Sequence, residues 1–165
     1  MSLIKNGSFV DNDWVNVGDD DTLPTDVPVL VSLTRWQAER ETLMGRNTPV
    51  GVTLASSEVP DAIVDDLDRI QVIALQFPTF KDGRGYSYAR LLRERYGFEG
   101  EIRASGEVLY DQWFAMSRCG VDAFEVPEGT TLEAFNEAMS EFSLVYQATG
   151  DGRKTVMQMR HSTNV

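Results

Sequence analysis

The residues best suited to chemistry fall in two stretches. The first reads Phe77-Pro78-Thr79-Phe80-Lys81-Asp82-Gly83-Arg84-Gly85-Tyr86-Ser87. Two glycines flank an arginine, so the backbone there can come close to a bound group. Ser87 is placed to cap a following helix, whose free N–H groups and dipole favour an anion. Lys81 and Arg84 add positive charge, and a guanidinium can hold a carboxylate, sulfate or phosphate through two parallel hydrogen bonds. Between residues 81 and 103 there are six basic and four acidic side chains, a local excess of positive charge. The candidate anion-binding set is Lys81, Asp82, Arg84, Tyr86, Ser87, Arg90 and Arg103, with Gln112 from the next stretch. The competing reading is a tight turn in which Asp82 caps its own backbone and Arg84 pairs with a nearby carboxylate. No Gly-Lys-Ser/Thr follows Gly83-Arg84-Gly85, and Tyr88 stands where a dinucleotide fingerprint needs its third glycine.

The second stretch is Ser105-Gly106-Glu107 and the apolar-periodic run behind it. A helix over residues 108–119 would put Val108, Leu109, Gln112, Ala115, Met116 and Cys119 on one face. Gln112 on such a face must either tie down a loop backbone or look into a polar pocket, because its amide carries up to four hydrogen bonds. Glu107 suits the first turn of that helix; with Asp111 it forms the candidate acid/base pair. Asp111 and Arg118 lie near one another in angle, two turns apart, and are expected to pair on the surface. Cys119, on the buried face near a helix C-terminus, reads as a small core residue and not as a reactive thiol. His161 lies in the tail between polar neighbours.

Five apolar strands are expected to position these stretches, at residues 28–33, 50–54, 70–77, 101–105 and 123–126. Helices are expected at 34–44, from Ser57 or Asp61 to 66, at 87–96 with Arg90 and Arg93 on the polar side, at 108–119 and at 132–142. The reading is α/β: five successive β–α units with a mainly parallel sheet. The sheet is either a partial TIM-barrel-like arc or a doubly wound open sheet. Residues 1–27 read as an N-terminal β flap on the main domain, with a hairpin of 3–5 and 8–10 across Asn6-Gly7 and a third strand at 14–17. Residues 28–147 form the α/β domain and 148–165 an extended tail. In either architecture functional groups gather at the carboxyl ends of the parallel strands.

Composition limits the chemistry further. The 165 residues carry a net charge of −11, which argues against nucleic acid and against an anionic membrane as partners. One cysteine and one histidine exclude an internal disulfide, a Cys-ligated iron–sulfur cluster, a Cys₄ zinc site and a His₂ metal centre within one chain. No metal site and no cofactor-binding motif is expected. No apolar run of membrane-spanning length and no signal peptide are read, so the expected location is cytoplasmic. Residues 11–26 hold six acidic side chains and no basic one, either a solvated loop or a docking surface for a basic partner.

Taken in series, several short motifs resemble a known family: Phe77-Pro78 with Phe80, Asp82 to Ser87, Ala89-Arg90-Leu91-Leu92-Arg93, Arg103-Ala104 with Gly106, Asp111-Gln112, and Arg118-Cys119-Gly120 with Asp122-Ala123-Phe124. Asp13-Trp14 and Tyr146-Gln147 extend the likeness to both ends. The series resembles a bacterial domain-of-unknown-function family whose members are labelled oxidoreductases of sulfite reduction. The resemblance implies a context, assimilatory sulfur metabolism, and a partner, the sulfite reductase haemoprotein. It assigns no catalytic residue. Three readings follow: an accessory protein acting with sulfite reductase; a binder of sulfur oxyanions or phosphate-type anions through the 81–87 loop; and a barrel-type enzyme using Glu107 and Asp111. The uncovered edges of a five-stranded arc also suggest a homodimer.

Overall fold

In the computed structural model, residues 1–162 are described. The sheet has eight strands: β1 (Ser2–Lys5), β2 (Ser8–Val10), β3 (Val15–Val17), β4 (Val29–Ser32), β5 (Val50–Leu54), β6 (Ile70–Phe77), β7 (Glu101–Gly106) and β8 (Ala123–Val126). Their spatial order is β2-β1-β8-β7-β6-β5-β4-β3. From β3 to β8 all neighbours are parallel. The β1–β2 hairpin adds antiparallel to β8.

The order from β3 to β8 is sequential and never reverses. The doubly wound alternative needs a reversal, so the arc is the observed architecture, a curled half-barrel. Chain length shows why it curls. Laid flat at about 4.8 Å per strand, eight strands would hold their edges roughly 34 Å apart. Yet β2 and β3, the two edges, are joined by residues 11–14 alone. Fully extended, the chain from Val10 to Val15 reaches about 18 Å at most.

One sheet face carries the main core. Val29, Val31, Val52, Leu54, Ile73, Leu75, Phe77, Ile102, Ala104, Phe124 and Val126 join the buried helix residues Trp36, Leu43, Leu92, Met116 and Phe135 in one cluster. The other face is concave and bears a second, small cluster of Leu30, Val72 and Ala74 under Trp14.

The connections differ from the expected helices in instructive ways. The first splits into α1 (Leu33–Ala38), capped by Ser32 and not by Thr34, and α2 (Arg40–Met44). The second is a 3-10 segment, Pro60–Asp66, and not an α-helix, so the series of five β–α units is not realised as such. Asp66 anchors it, accepting from Arg40 and, at 3.1 Å, from the Trp36 indole. The third is α3 (Arg84–Arg90), which begins three residues before Ser87 and runs into a π-turn, Leu91–Arg95. The fourth is a short 3-10 turn and then α4 (Trp113–Arg118). That late start changes the helix phase: Trp113 is buried, whereas Leu109 and Ala115 are exposed. The fifth is α5 (Leu132–Ser140), capped by Thr131.

The N-terminal strands complete both edges of the one sheet. The hairpin turn forms as its Asn-Gly suggests, with φ of 50° at Asn6 and 78° at Gly7. The tail is not extended. Val145 bridges Thr155, and α6 (Val156–Ser162) follows. Arg118 holds this segment through Asp151 at 3.0 Å, Thr149 and the Gln147 carbonyl, so its partner is not Asp111. Residues 163–165 of the expected tail lie outside the described residues.

Gly106 ends β7 with φ of +93°, and a Cβ there would stand 2.5 Å from the Phe77 carbonyl oxygen. Gly106→Ala should therefore cost about 1–3 kcal/mol, read as a lower urea midpoint with the far-ultraviolet spectrum retained.

Candidate functional site

Strand register sorts the concave face into three rungs. The lowest links Leu30, Gly51, Val72 and Glu101. The middle one links Ser32, Thr53, Ala74, Arg103, Ala123 and Lys5. The highest pairs Gln76 with Ser105, and Glu125 lies two residues beyond Ala123 on the same face.

Arg103 is 1 % exposed. A guanidinium buried this deeply needs compensating charge. Glu101 supplies it at 2.7 Å and Glu125 at 3.6 Å, while Asn12 on the edge-to-edge link accepts from its Nη1 at 3.0 Å. Lys5 reaches Glu101 from β1 at 2.7 Å. The same link lays Trp14 on Leu30, Val72 and Ala74. Residues 11–14 thus occupy the lower half of the concave face.

The upper half is open. A cleft of about 600 Å³ lies there, lined by side chains of β3 to β8 and by Pro78 and Glu107 beyond the strand ends. Its polar lining includes Asn16, Ser32, Thr53, Gln76, Ser105 and Glu125, with Leu30 and Ala74 at its floor. Over the cleft the middle and upper rungs offer the small residues Ser32, Thr53, Ala74 and Ser105, where the interior of a closed barrel would carry bulky branched ones. Ser32 is engaged, donating to Asp19 at 2.5 Å and accepting from the Arg35 N–H. A second hollow, of about 910 Å³, lies at the amino ends between Trp14, Tyr96 and Glu99. Among the described residues, no group of three His, Cys, Asp or Glu side chains is placed to hold a metal ion.

The residues proposed from sequence for an anion do not converge on one point. Arg84 donates to both Asp82 oxygens through the Nε–Nη2 edge of its guanidinium, at 2.9 and 2.6 Å, and Nη2 also donates to Ser56. The Arg84 hydrogen bonds first, then the Ser56 hydroxyl, hold the Asp82 carboxyl well below the usual range. This is the tight-turn arrangement. Lys81 lies over the Phe80 ring. Arg90 pairs with Glu94 on the helix surface at 2.8 Å. Arg103 is under the link. Ser87 is exposed inside α3. Arg93, expected on a solvated face, instead fastens the sheet: it donates to the carbonyls of Phe98, Gly100 and Gly120 and to Asp122.

Two of the proposed residues do meet. Glu107 Oε2 accepts from the Phe80 N–H at 2.5 Å, and Gln112 Nε2 donates to the Phe80 carbonyl at 2.9 Å. Together they pin the loop after β6, so Gln112 ties down a backbone. Glu107 also lines the cleft; Asp111 is exposed and does not. Burial pushes the Cys119 thiol up, against the pull of Arg90 and Arg118.

A family model described as bacterial protein of unknown function (DUF934) matches residues 51–157. The chain belongs to that family. No curated protein matches it. The DUF934 match begins at β5 and ends in α6, so it includes most of the cleft, the pinned loop and Arg103. The link that closes the concave face and the β1–β2 hairpin lie ahead of it. Sequence reasoning located Glu107 in this DUF934 chain but missed Thr53, Gln76, Ser105 and Glu125. Their signal was a polar or small residue at every second position of strands that otherwise read as apolar.

Two predictions follow from the geometry. Arg103→Leu leaves buried Glu101 to Lys5 alone and partly buried Glu125 without its ion-pair partner, and should cost ~3 kcal/mol, whereas Arg90→Leu, which breaks an exposed pair, should change stability by less than about 1 kcal/mol. Paired denaturant titrations decide between them. The second concerns Tyr86, whose ring meets Phe77 edge-on. Its hydroxyl is pushed up to about 12 from 10.0, first by burial and then by Cys119 and Asp111. The folded chain keeps this proton longer than the unfolded one, so the contribution is intact below pH 10.0 and drains away towards about pH 12. Tyr86→Phe should flatten that alkaline loss, read from urea midpoints at about pH 9 and about pH 11.

Proposed function

We propose that this protein is an accessory factor of assimilatory sulfite reduction that docks on the sulfite reductase haemoprotein. The metabolic context comes from the resemblance of the motif series read in the sequence; the family itself is described only as one of unknown function. The observation that carries the mode of action is the acidic N-terminal stretch. Asp11, Asp13, Asp19, Asp20, Asp21 and Asp26 are all exposed. None takes part in an ion pair among the described residues, whereas Asp66, Asp82, Asp122 and Asp151 each pair with an arginine. Uncompensated surface charge of one sign steers association with a surface of the other. The oxidoreductase label then describes help given to the partner's electron transfer, in the cytoplasm. A second copy would add at β2, an open edge with Phe9 and Val10 exposed. The 81–87 loop supports an oxyanion site less well, because Arg84 already spends its charge on Asp82.

The test is binding of the purified protein to sulfite reductase haemoprotein by surface plasmon resonance at low and high ionic strength. Binding should be firm at low salt and lost at high salt. Asp19→Asn, Asp20→Asn and Asp21→Asn combined should weaken it about tenfold, equivalent to ~1.4 kcal/mol. No binding at low salt, or binding indifferent to these changes, overturns the reading.

A further inference from the structure

We propose that the cleft at the carboxyl ends of the strands binds a small uncharged polyol, held by Asn16, Thr53, Gln76 and Glu125. This site is separate from the docking reading and needs no partner protein.

The cleft, about 600 Å³, falls within the usual range of small-molecule sites, roughly 300–1,000 Å³. It exists because the link fills only the lower rungs of the concave face, and above them Ser32, Thr53, Ala74 and Ser105 are too small to fill the space. Its unspent hydrogen-bonding groups define the ligand. Asn16, Thr53 and Gln76 line it, and their side chains form no hydrogen bond among the described residues. Each amide offers two donors and an acceptor, and the threonine hydroxyl offers both. Glu107 and Glu125 add acceptors only. No Lys, Arg or His lines the cleft, and Arg103 behind it is paired with Glu101 and Glu125.

An anion would face two carboxylates, and the one cation behind them, Arg103, is already shared between Glu101 and Glu125. An ammonium ion carries donors alone, so it would satisfy Glu125 but leave the amide N–H groups without an acceptor. A hydroxyl both donates and accepts, and neighbouring hydroxyls do so in two directions at once. The C–H side of such a molecule fits the Leu30 and Ala74 floor.

The experiment is a titration of the ¹⁵N-labelled full chain, followed by amide shifts, with three four-carbon probes: erythritol, putrescine and succinate. Ribitol is added as a longer polyol. The polyols should give saturable shifts centred on Asn16, Thr53, Gln76 and Ser105, with a Kd of about 1–50 mM for ligands so small. Putrescine and succinate should not. Thr53→Val and Gln76→Leu should each remove the saturation; the same spectra report whether each variant is folded, and if one is not, the other decides. Saturation of these amides by putrescine or succinate at lower concentration than by either polyol overturns the proposal. So does the absence of saturable polyol shifts there, or their persistence in both folded variants.

Discussion

The concave face depends on one buried charge. Arg103 sits at the centre of the half-barrel, in the middle rung, with Glu101 below it on the same strand and Glu125 across on the next. Its remaining partner is Asn12, ninety-one residues away in sequence. A guanidinium there is tolerable only if every neighbour is in place. This requirement fastens the edge-to-edge link to the sheet, and the link in turn holds Trp14 over the small apolar cluster. The short link sets the curvature, and this arrangement seats the link on the lower rungs and leaves the cleft open above it.

The two sheet faces then divide the labour. The convex face is a packed core of branched and aromatic residues, held by helices that are short and irregular. Two of the five connections contain 3-10 turns and one runs into a π-turn. Such helices contribute little by their own propensity, and specific side chains secure them instead. Asp66 binds Arg40 and Trp36, Arg93 collects three carbonyls, and Arg118 gathers the C-terminal segment. Much of the positive charge in this acidic chain is thus spent as internal fastening.

Strands β5, β6 and β8 were legible in the sequence to the residue, because their apolar runs are bounded by turn-forming residues. The Asn6-Gly7 hairpin was legible for the same reason. Helix starts were not. Ser87 looked like a cap, but Gly83 and Asp82 open α3 earlier, and the helix phase after β7 shifted because a 3-10 turn precedes it. Nor was the role of the N-terminus readable: nothing local in residues 11–14 says that they join opposite edges of a sheet. Arg103 illustrates the difficulty for the site. In a basic stretch it reads as an anion ligand, but strand alternation beside Glu101 makes it a core cation. The cleft residues Thr53 and Gln76 carry no motif; only register shows that they face the same space.

The pairing of β1 with β8 also determines the order in which this chain can be completed. Ser2 lies opposite Val126, so β1, which is made before the parallel strands, waits for β8 to supply its edge. Until β8 arrives, both the hairpin and the growing parallel sheet have unpaired edges, and closing so long a loop is entropically slow. Exposed strand edges in that interval are where a nascent chain aggregates or swaps with a neighbour. The six exposed carboxylates of residues 11–26, carried between β2 and β4, set like charge against such association, because nearby copies of the chain repel.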